Sequence, residues 1–355
     1  MEEGILLANR VTIQDIADVL GVSRNTVSKA LNNTGVLAES TKVRILQKAA
    51  EMGYGQFPIS EGTSLFGKGR EIALFTTAVL DTSHFGSVML DYFQNEIAKL
   101  GYRFAIYLVR ENEIKSKALP TTFHKENVDG ILCVELFDRE YSQLVCEIGL
   151  PTLFVDAPAN LDSLSLKADV LLMNSSSNIY HFIQEMTRRG KTSFGFIGEY
   201  QHCQSFYERF YAYKHALDAL HLPPKDEFCI LGNDAKFTYT DYLHDQLNKM
   251  QALPQVFLCA NDFVAIDFLR VLREKGIRVP QDVYLCGFDD SSESRILSPS
   301  LTTIHIYSEI MGFSAVHLLI SRIKNPSLNY RVLYTETTLK YRESTGDTFD
   351  KDTVK

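Results

Sequence analysis

Apolar positions recur at helical spacing in the first fifty-odd residues. Ile13, Ile16, Ala17 and Leu20 predict a helix from about Thr12 to Leu20, with Thr12 as its N-cap and Asp15 three residues on. Gly21-Val22 breaks it. Ser23 can cap a second helix running to about Asn32, with Val27, Ala30 and Leu31 facing inward, and a third is expected from about Ser40 to Met52, stopped at Gly53. Residues 55–70 lose the pattern: Gly55, Pro58, Gly62, Gly67 and Gly69 read as a linker. From Glu71 the period changes. Short β-type runs at Ile72–Phe75, Phe104–Leu108, Gly130–Val134, Thr152–Val155, Phe194–Ile197, Val256–Cys259 and Val283–Gly287 alternate with helical segments, among them Val88–Leu100, Tyr207–Leu220, Phe263–Lys275 and Ser308–Ile323. Such alternation predicts an α/β body with parallel sheets, divided into two lobes near Asn174, with ligands beyond the carboxyl ends of the strands.

The chain of 355 residues is 45% hydrophobic, enough to bury the cores of several domains. The formal charge of −8 at face value argues against a nucleic-acid binder. That charge is unevenly spread. Over residues 11–54, Arg24, Lys29, Lys42, Arg44 and Lys48 stand against Asp15, Asp18, Glu39 and Glu51, a balance of +1, and the rest of the chain holds −9. None of the six cysteines has CxxC spacing, and most sit in apolar runs, so buried free thiols are expected. The acidic start and the lack of a long apolar stretch predict a cytoplasmic protein with no signal peptide and no membrane partner. No Walker loop, GxGxxG after a strand, nucleophile elbow or HExxH spacing occurs, so no enzyme, metal or cofactor is expected.

Residues 13–32 carry the sharpest signal. A steep crossing of two helices needs a small residue, here Ala17; the tight turn favours Gly21; Val22 and Val27 plug the contact. Those requirements define a DNA-binding helix-turn-helix, whose second helix starts in the major groove. Arg24 and Asn25 are its first exposed positions, and they suit bidentate readout of guanine and adenine. Lys29 can reach a base edge or a phosphate, and Ser23, Thr26 and Ser28 suit phosphate contacts that set register.

Val22-Ser23-x-x-Thr26-Val27-Ser28-Lys29-x-Leu31-Asn32 resembles the recognition helix of the lactose-repressor type (LacI/GalR) family of bacterial transcription regulators, with Lys29 where Arg is commoner. The resemblance extends through Arg44–Tyr54, Val128-Asp129-Gly130-Ile131, Cys259-Ala260-Asn261-Asp262, Gly276–Val283, Gly287-Phe288-Asp289-Asp290 and Ser298–Ile304, nearly the whole chain. It implies a helix-turn-helix head (1–54), a linker or hinge (55–70) and a two-lobed body resembling periplasmic binding proteins (71–355). The first lobe would be about 71–173, the second about 174–300, and 301–355 a recrossing segment. In the family the hinge forms a helix on DNA and wedges a Leu into the minor groove; Leu65 aligns there, although Pro58 and Gly62 weaken a helix.

The resemblance also implies a homodimer on a pseudo-palindromic operator and a small-molecule effector, most simply a sugar or sugar derivative, between the lobes. Carried over residue by residue, its contacts are Phe85, Asp156, Arg209, Phe237, Asn261 and Asp289. Arg209 would hold the ligand with a bidentate fork, Asp289 and Asp156 would accept from hydroxyls, Asn261 would donate, and Phe85 and Phe237 would stack, while Asp262 would cap the Phe263 helix. Departures include Met173 where the family has Asp, Ala212 for Gly, and Gly86 for an aromatic. The function implied is a ligand-controlled repressor. The alternatives are a regulator controlled by a protein corepressor and a solute-binding protein.

Overall fold

The computed structural model describes residues 11–31, several positions between 37 and 52, and residues 71–78, 85–232 and 240–348. The chain divides into two compact units, Met1–Lys68 and Gly69–Lys355.

In the first unit, α1 (Ile13–Leu20) is started by a reciprocal cap. The Asp15 amide donates to Thr12 Oγ1 at 3.3 Å, and the Thr12 amide donates to Asp15 Oδ2 at 2.7 Å. Gly21 ends the helix at φ 64°, a left-handed turn that glycine adopts without strain. α2 (Arg24–Leu31) begins where the Thr26 amide donates to Ser23 Oγ at 3.0 Å. Thr41, Lys42, Arg44, Ile45, Lys48 and Ala49 are helical, as their spacing predicts. Ile16, Ala17, Val27, Ala30, Ile45 and Ala49 form one small core.

The second unit holds two parallel sheets. Strands β1 (Glu71–Thr76), β2 (Arg103–Leu108), β3 (Val128–Val134), β4 (Thr152–Val155), β5 (Asp169–Met173) and β10 (Val332–Thr335) form a six-stranded sheet in the order β10-β5-β4-β3-β1-β2. Strands β6 (Phe194–Ile197), β7 (Val256–Cys259) and β8 (Tyr284–Cys286) form the second sheet. β9 (Thr303–Ile306) and β11 (Thr337–Lys340) pair antiparallel. The helices of this unit are α3 (Phe85–Lys99), α4 (Glu111–Ser116), α5 (Arg139–Glu147), α6 (Ser176–Arg188), α7 (Gln204–Ala219), α8 (Thr240–Lys249), α9 (Asp262–Glu274), α10 (Ser292–Ile296) and α11 (Ser308–Lys324).

All seven strand-like runs are strands, displaced at most by two residues. β5, β9, β10 and β11 have no counterpart among those runs. β10 is an edge strand whose apolar Val332, Leu333 and Tyr334 are exposed, so its short run does not signal a buried parallel strand. The chain leaves the six-stranded sheet at Asn174, returns through α11 and β10, and leaves again after Thr335. The crossings are tied together: the Asn174 amide donates to the Thr335 carbonyl at 2.8 Å, and Thr337 Oγ1 to the Asn174 carbonyl at 2.7 Å. α11 packs closely on α3 at Gly312, where a Cβ would stand 2.8 Å from the Met89 carbonyl. Asp169 anchors the returning segment. Its buried carboxylate accepts from Arg322 and Arg331, each at 2.7 Å; burial works against its charge, but the two guanidinium groups outweigh it and hold the pKa below the usual range.

All six cysteines are free thiols and only Cys229 is not fully buried. Met173, where the resembled family has Asp, is buried in the principal apolar core, as its side chain requires.

Candidate functional site

The first candidate surface is the start of α2. Val27 and Ala30 anchor the helix from below, and Ser23, Arg24, Asn25 and Lys29 stand exposed on the other side. Thr26 and Ser28 are half-buried. The Ser23 and Thr26 hydroxyls lie 2.7 Å apart within the cap, so their first task is to hold the helix start that presents Arg24 and Asn25. Leu65 lies outside the described residues, as does Phe237.

The second candidate site follows β8. Gly287 lets this strand approach α9: a Cβ there would lie 2.1 Å from Asp262 Oδ1. Asp289 and Asp290 then take positive φ angles of 113° and 60°. A residue other than glycine rarely holds such a backbone unless the surroundings impose it. Here the Asp289 amide is tied to the Ile304 carbonyl at 2.8 Å. Arg209 projects from α7 and is 2% exposed. Its guanidinium lies 3.6 Å over the Phe288 ring, Nη1 donates to the Ala260 carbonyl at 2.6 Å, and Nη2 stands 3.5 Å from Asp289 Oδ1. Its Nε is buried with no hydrogen-bond partner among the described residues.

A cavity of about 450 Å³ opens on this segment, lined by Phe85, Asp289, Ser291, Arg295, His305 and Tyr307 among others. The fold therefore brings Phe85, at the start of α3, and Asp289 into one cavity, with Arg209 in contact with Asp289. Asn261 and Asp156 do not line it. The expected cap is corrected: Asn261, not Asp262, caps α9, its Oδ1 accepting from the Val264 amide at 2.9 Å. Asp262 is fully buried and accepts from Ser291 N at 2.8 Å and Thr303 Oγ1 at 2.7 Å. Burial and then the charge of Asp289 push it up to about 8. Asp156, at φ 61° after β4, accepts from Ala157 N, Ser205 N and Ser205 Oγ at 2.8, 3.0 and 2.6 Å. Burial raises its pKa against those bonds. The carboxylate thus ties the end of β4 to the first turn of α7.

Four residues absent from the sequence-based set adjoin the site. Asp290 accepts from Arg295 Nη2 at 2.9 Å, pairs with His305 Nδ1 at 3.0 Å, and is bonded closely to buried Arg342. Burial opposes its charge, yet His305, Arg342 and Arg295 together hold its pKa down to about 2. Only the adjacency to Asp289 could have signalled Asp290; its partners come from positions 5, 15 and 52 residues away.

Two family models match the chain. Residues 12–56 match bacterial regulatory proteins of the lacI family, and residues 183–345 match the periplasmic binding protein-like domain. The HTH-type transcriptional repressor PurR of Vibrio atlanticus is 27% identical over 323 residues, covering 90% of this chain and 94% of the relative. The chain thus joins a helix-turn-helix domain of the lacI type to a periplasmic binding protein-like domain.

Solved structures agree on the fold. A lac repressor dimer bound to operator and an anti-inducer is 20% identical, covers 95% of this chain and 99% of its own, and has a TM-score of 0.67. A complex of the regulator CelR with cellobiose has 22% identity, covers 94% of this chain and 100% of its own, and has the same TM-score. The lacI-type head and the repressor relatives make the chain a DNA-binding transcription regulator, with an N-terminal helix-turn-helix and a two-lobed α/β body. Among its described residues no helix is long and apolar enough to cross a membrane.

Proposed function

We propose that this regulator is a repressor that binds a pseudo-palindromic operator as a homodimer and is controlled by a small polar effector, a sugar or sugar derivative, held between the lobes. The observation that carries the effector reading is Asp289, backed by buried Arg209, in the cavity it shares with Phe85. A buried guanidinium with an unused Nε and a carboxylate on a constrained turn are polar groups whose pairing by hydroxyls gives discrimination. Asp289 accepts from ligand hydroxyls, Arg209 holds Asp289 in place, Phe85 offers its ring face, and Asn261 serves α9 as its cap. Asp156 serves as the tie between β4 and α7. Arg24 and Asn25 read bases, Lys29 adds a base or phosphate contact, and Ser23, Thr26 and Ser28 set the register.

Effector and operator affinity are linked through lobe closure, and the coupling equals the effector's differential affinity for the two states. Residues 1–54, 55–70 and 71–355 are assigned as head, linker and effector body. A protein corepressor is the second reading, favoured by exposed Val88, Ile310 and Phe313 on the packed helices α3 and α11.

The test is selection of the operator from random duplexes, followed by a thermal-shift panel of sugars, sugar phosphates and purines scored for operator release or tightening. A sugar that stabilises wild type and not Asp289→Asn supports the cavity assignment. A stabilising ligand with equal effect on both proteins refutes it.

A further inference from the structure

A second cavity, of about 640 Å³, lies apart from the Asp289 cavity and shares no lining residue with it. Its walls come from both sides of the lobe junction. α7 contributes a stripe, Tyr207, Glu208 and Tyr211, spaced to share one helix face; Arg209, Phe206 and Tyr213 of the same helix are buried. The first turns of α6 add Tyr180, the loop after β4 adds Asp162, and edge strand β10 adds Tyr334. Tyr207 and Tyr211 stand with ring centroids 4.5 Å apart, tilted by 43°. Glu208 Oε1 accepts from Tyr334 at 2.7 Å and from Gln204 at 3.0 Å, while Oε2 carries no hydrogen bond among the described residues. Burial raises the pKa of Glu208, so its anion lacks part of the solvation it would have in water. Two carboxylates and four phenol rings line the space, and none of its described lining residues is Lys or Arg.

We propose that this tyrosine-walled cavity between α7 and β10 is a second ligand site, selective for small organic cations of the alkylammonium class. Ring faces attract a cation through their quadrupole, most strongly when it is desolvated, and the apolar substituents of an alkylammonium suit the rings better than a hydrated metal ion does. Glu208 and Asp162 supply the counter-charge. Glu208 and Tyr334 belong to segments on opposite sides of the lobe junction, so a cation held there binds one lobe arrangement better and shifts the effector response by that difference.

The test titrates full-length protein with choline, with its neutral isostere 3,3-dimethylbutan-1-ol and with glucose. The readouts are tyrosine fluorescence, free of interference because the chain has no Trp, and the upfield shift of the choline methyl protons over aromatic rings. Choline is expected to bind at millimolar concentration, with the neutral isostere and glucose at least about tenfold weaker. Glu208→Gln keeps the acceptor for Tyr334 and removes the charge; it and Tyr207→Leu should each weaken choline about tenfold while operator binding is unchanged. Asp289→Asn should leave choline binding intact, which separates this site from the effector cavity. Equal binding of the isostere, preference for glucose, absence of choline binding, retention of affinity in Glu208→Gln, or loss of choline in Asp289→Asn would each overturn the proposal.

Discussion

Asp290→Asn is the sharpest test of how the segment after β8 is held. The residue sits at φ 60°, a conformation that asparagine tolerates nearly as well as aspartate, so the substitution removes charge with little change in backbone preference. It leaves Arg342, 5% exposed, and Arg295, 34% exposed, without their common carboxylate. Breaking a buried pair by neutralising one partner costs about 3–5 kcal/mol; the retained amide oxygen and the exposure of Arg295 favour the lower end.

Linkage supplies a second magnitude. A fall from the ordinary 3.8 to about 2 corresponds to about 2 kcal/mol. Because the folded-state pKa is depressed, this stability is complete above pH 4 and is lost as pH falls toward about 2. Urea unfolding of wild type and variant at a series of pH values checks both numbers. The variant should be weaker by about 3 kcal/mol near neutrality, and its acid limb should be shallower. A loss below about 1 kcal/mol, or an unchanged acid limb, would refute the claim that Asp290 works as a charged hub.

Three further outcomes are expected. Arg24→Ala should relax base preference at one operator position and cost about 1–3 kcal/mol, measured by repeating the operator selection; unchanged specificity removes Arg24 from readout. Asp289→Asn should weaken the effector by roughly tenfold or more, the scale of a hydrogen bond to a charged group, while operator affinity without effector stays the same; a wild-type dose response would reject the cavity assignment. Gly287→Ala forces a methyl against Asp262, which Thr303 and Ser291 hold in place, and should lower the urea midpoint by an amount equivalent to about 1–3 kcal/mol. An unchanged midpoint would show that the α9–β8 approach is looser than the glycine implies.

Much of this molecule was legible along the chain because its signals are local. Thr12 and Asp15, Ser23 and Thr26, and Gly21 act within one turn of where they stand, so helix starts and stops can be read from neighbours three residues apart. Six of the seven strands, β1, β3, β4, β6, β7 and β8, announce themselves as apolar runs because both faces are covered; edge strand β2 is apolar too, although Arg103 and Ile106 are exposed. The sequence by itself thus determined the helix-turn-helix and the alternating body.

The tertiary structure decided what depends on distant partners. Asn261 and Asp262 are adjacent and both could cap α9; the cap falls to Asn261 because Thr303 and Ser291 claim the Asp262 carboxylate. Asp156 looks like an open acceptor at a strand end until Ser205, 49 residues later, occupies it. β10 pairs with β5 across about 160 residues and carries its apolar side chains outward, so no local period marks it. Charge hubs such as Asp290 and Asp169 gather cations from separate segments, and that convergence exists only once the sheets have brought those segments together.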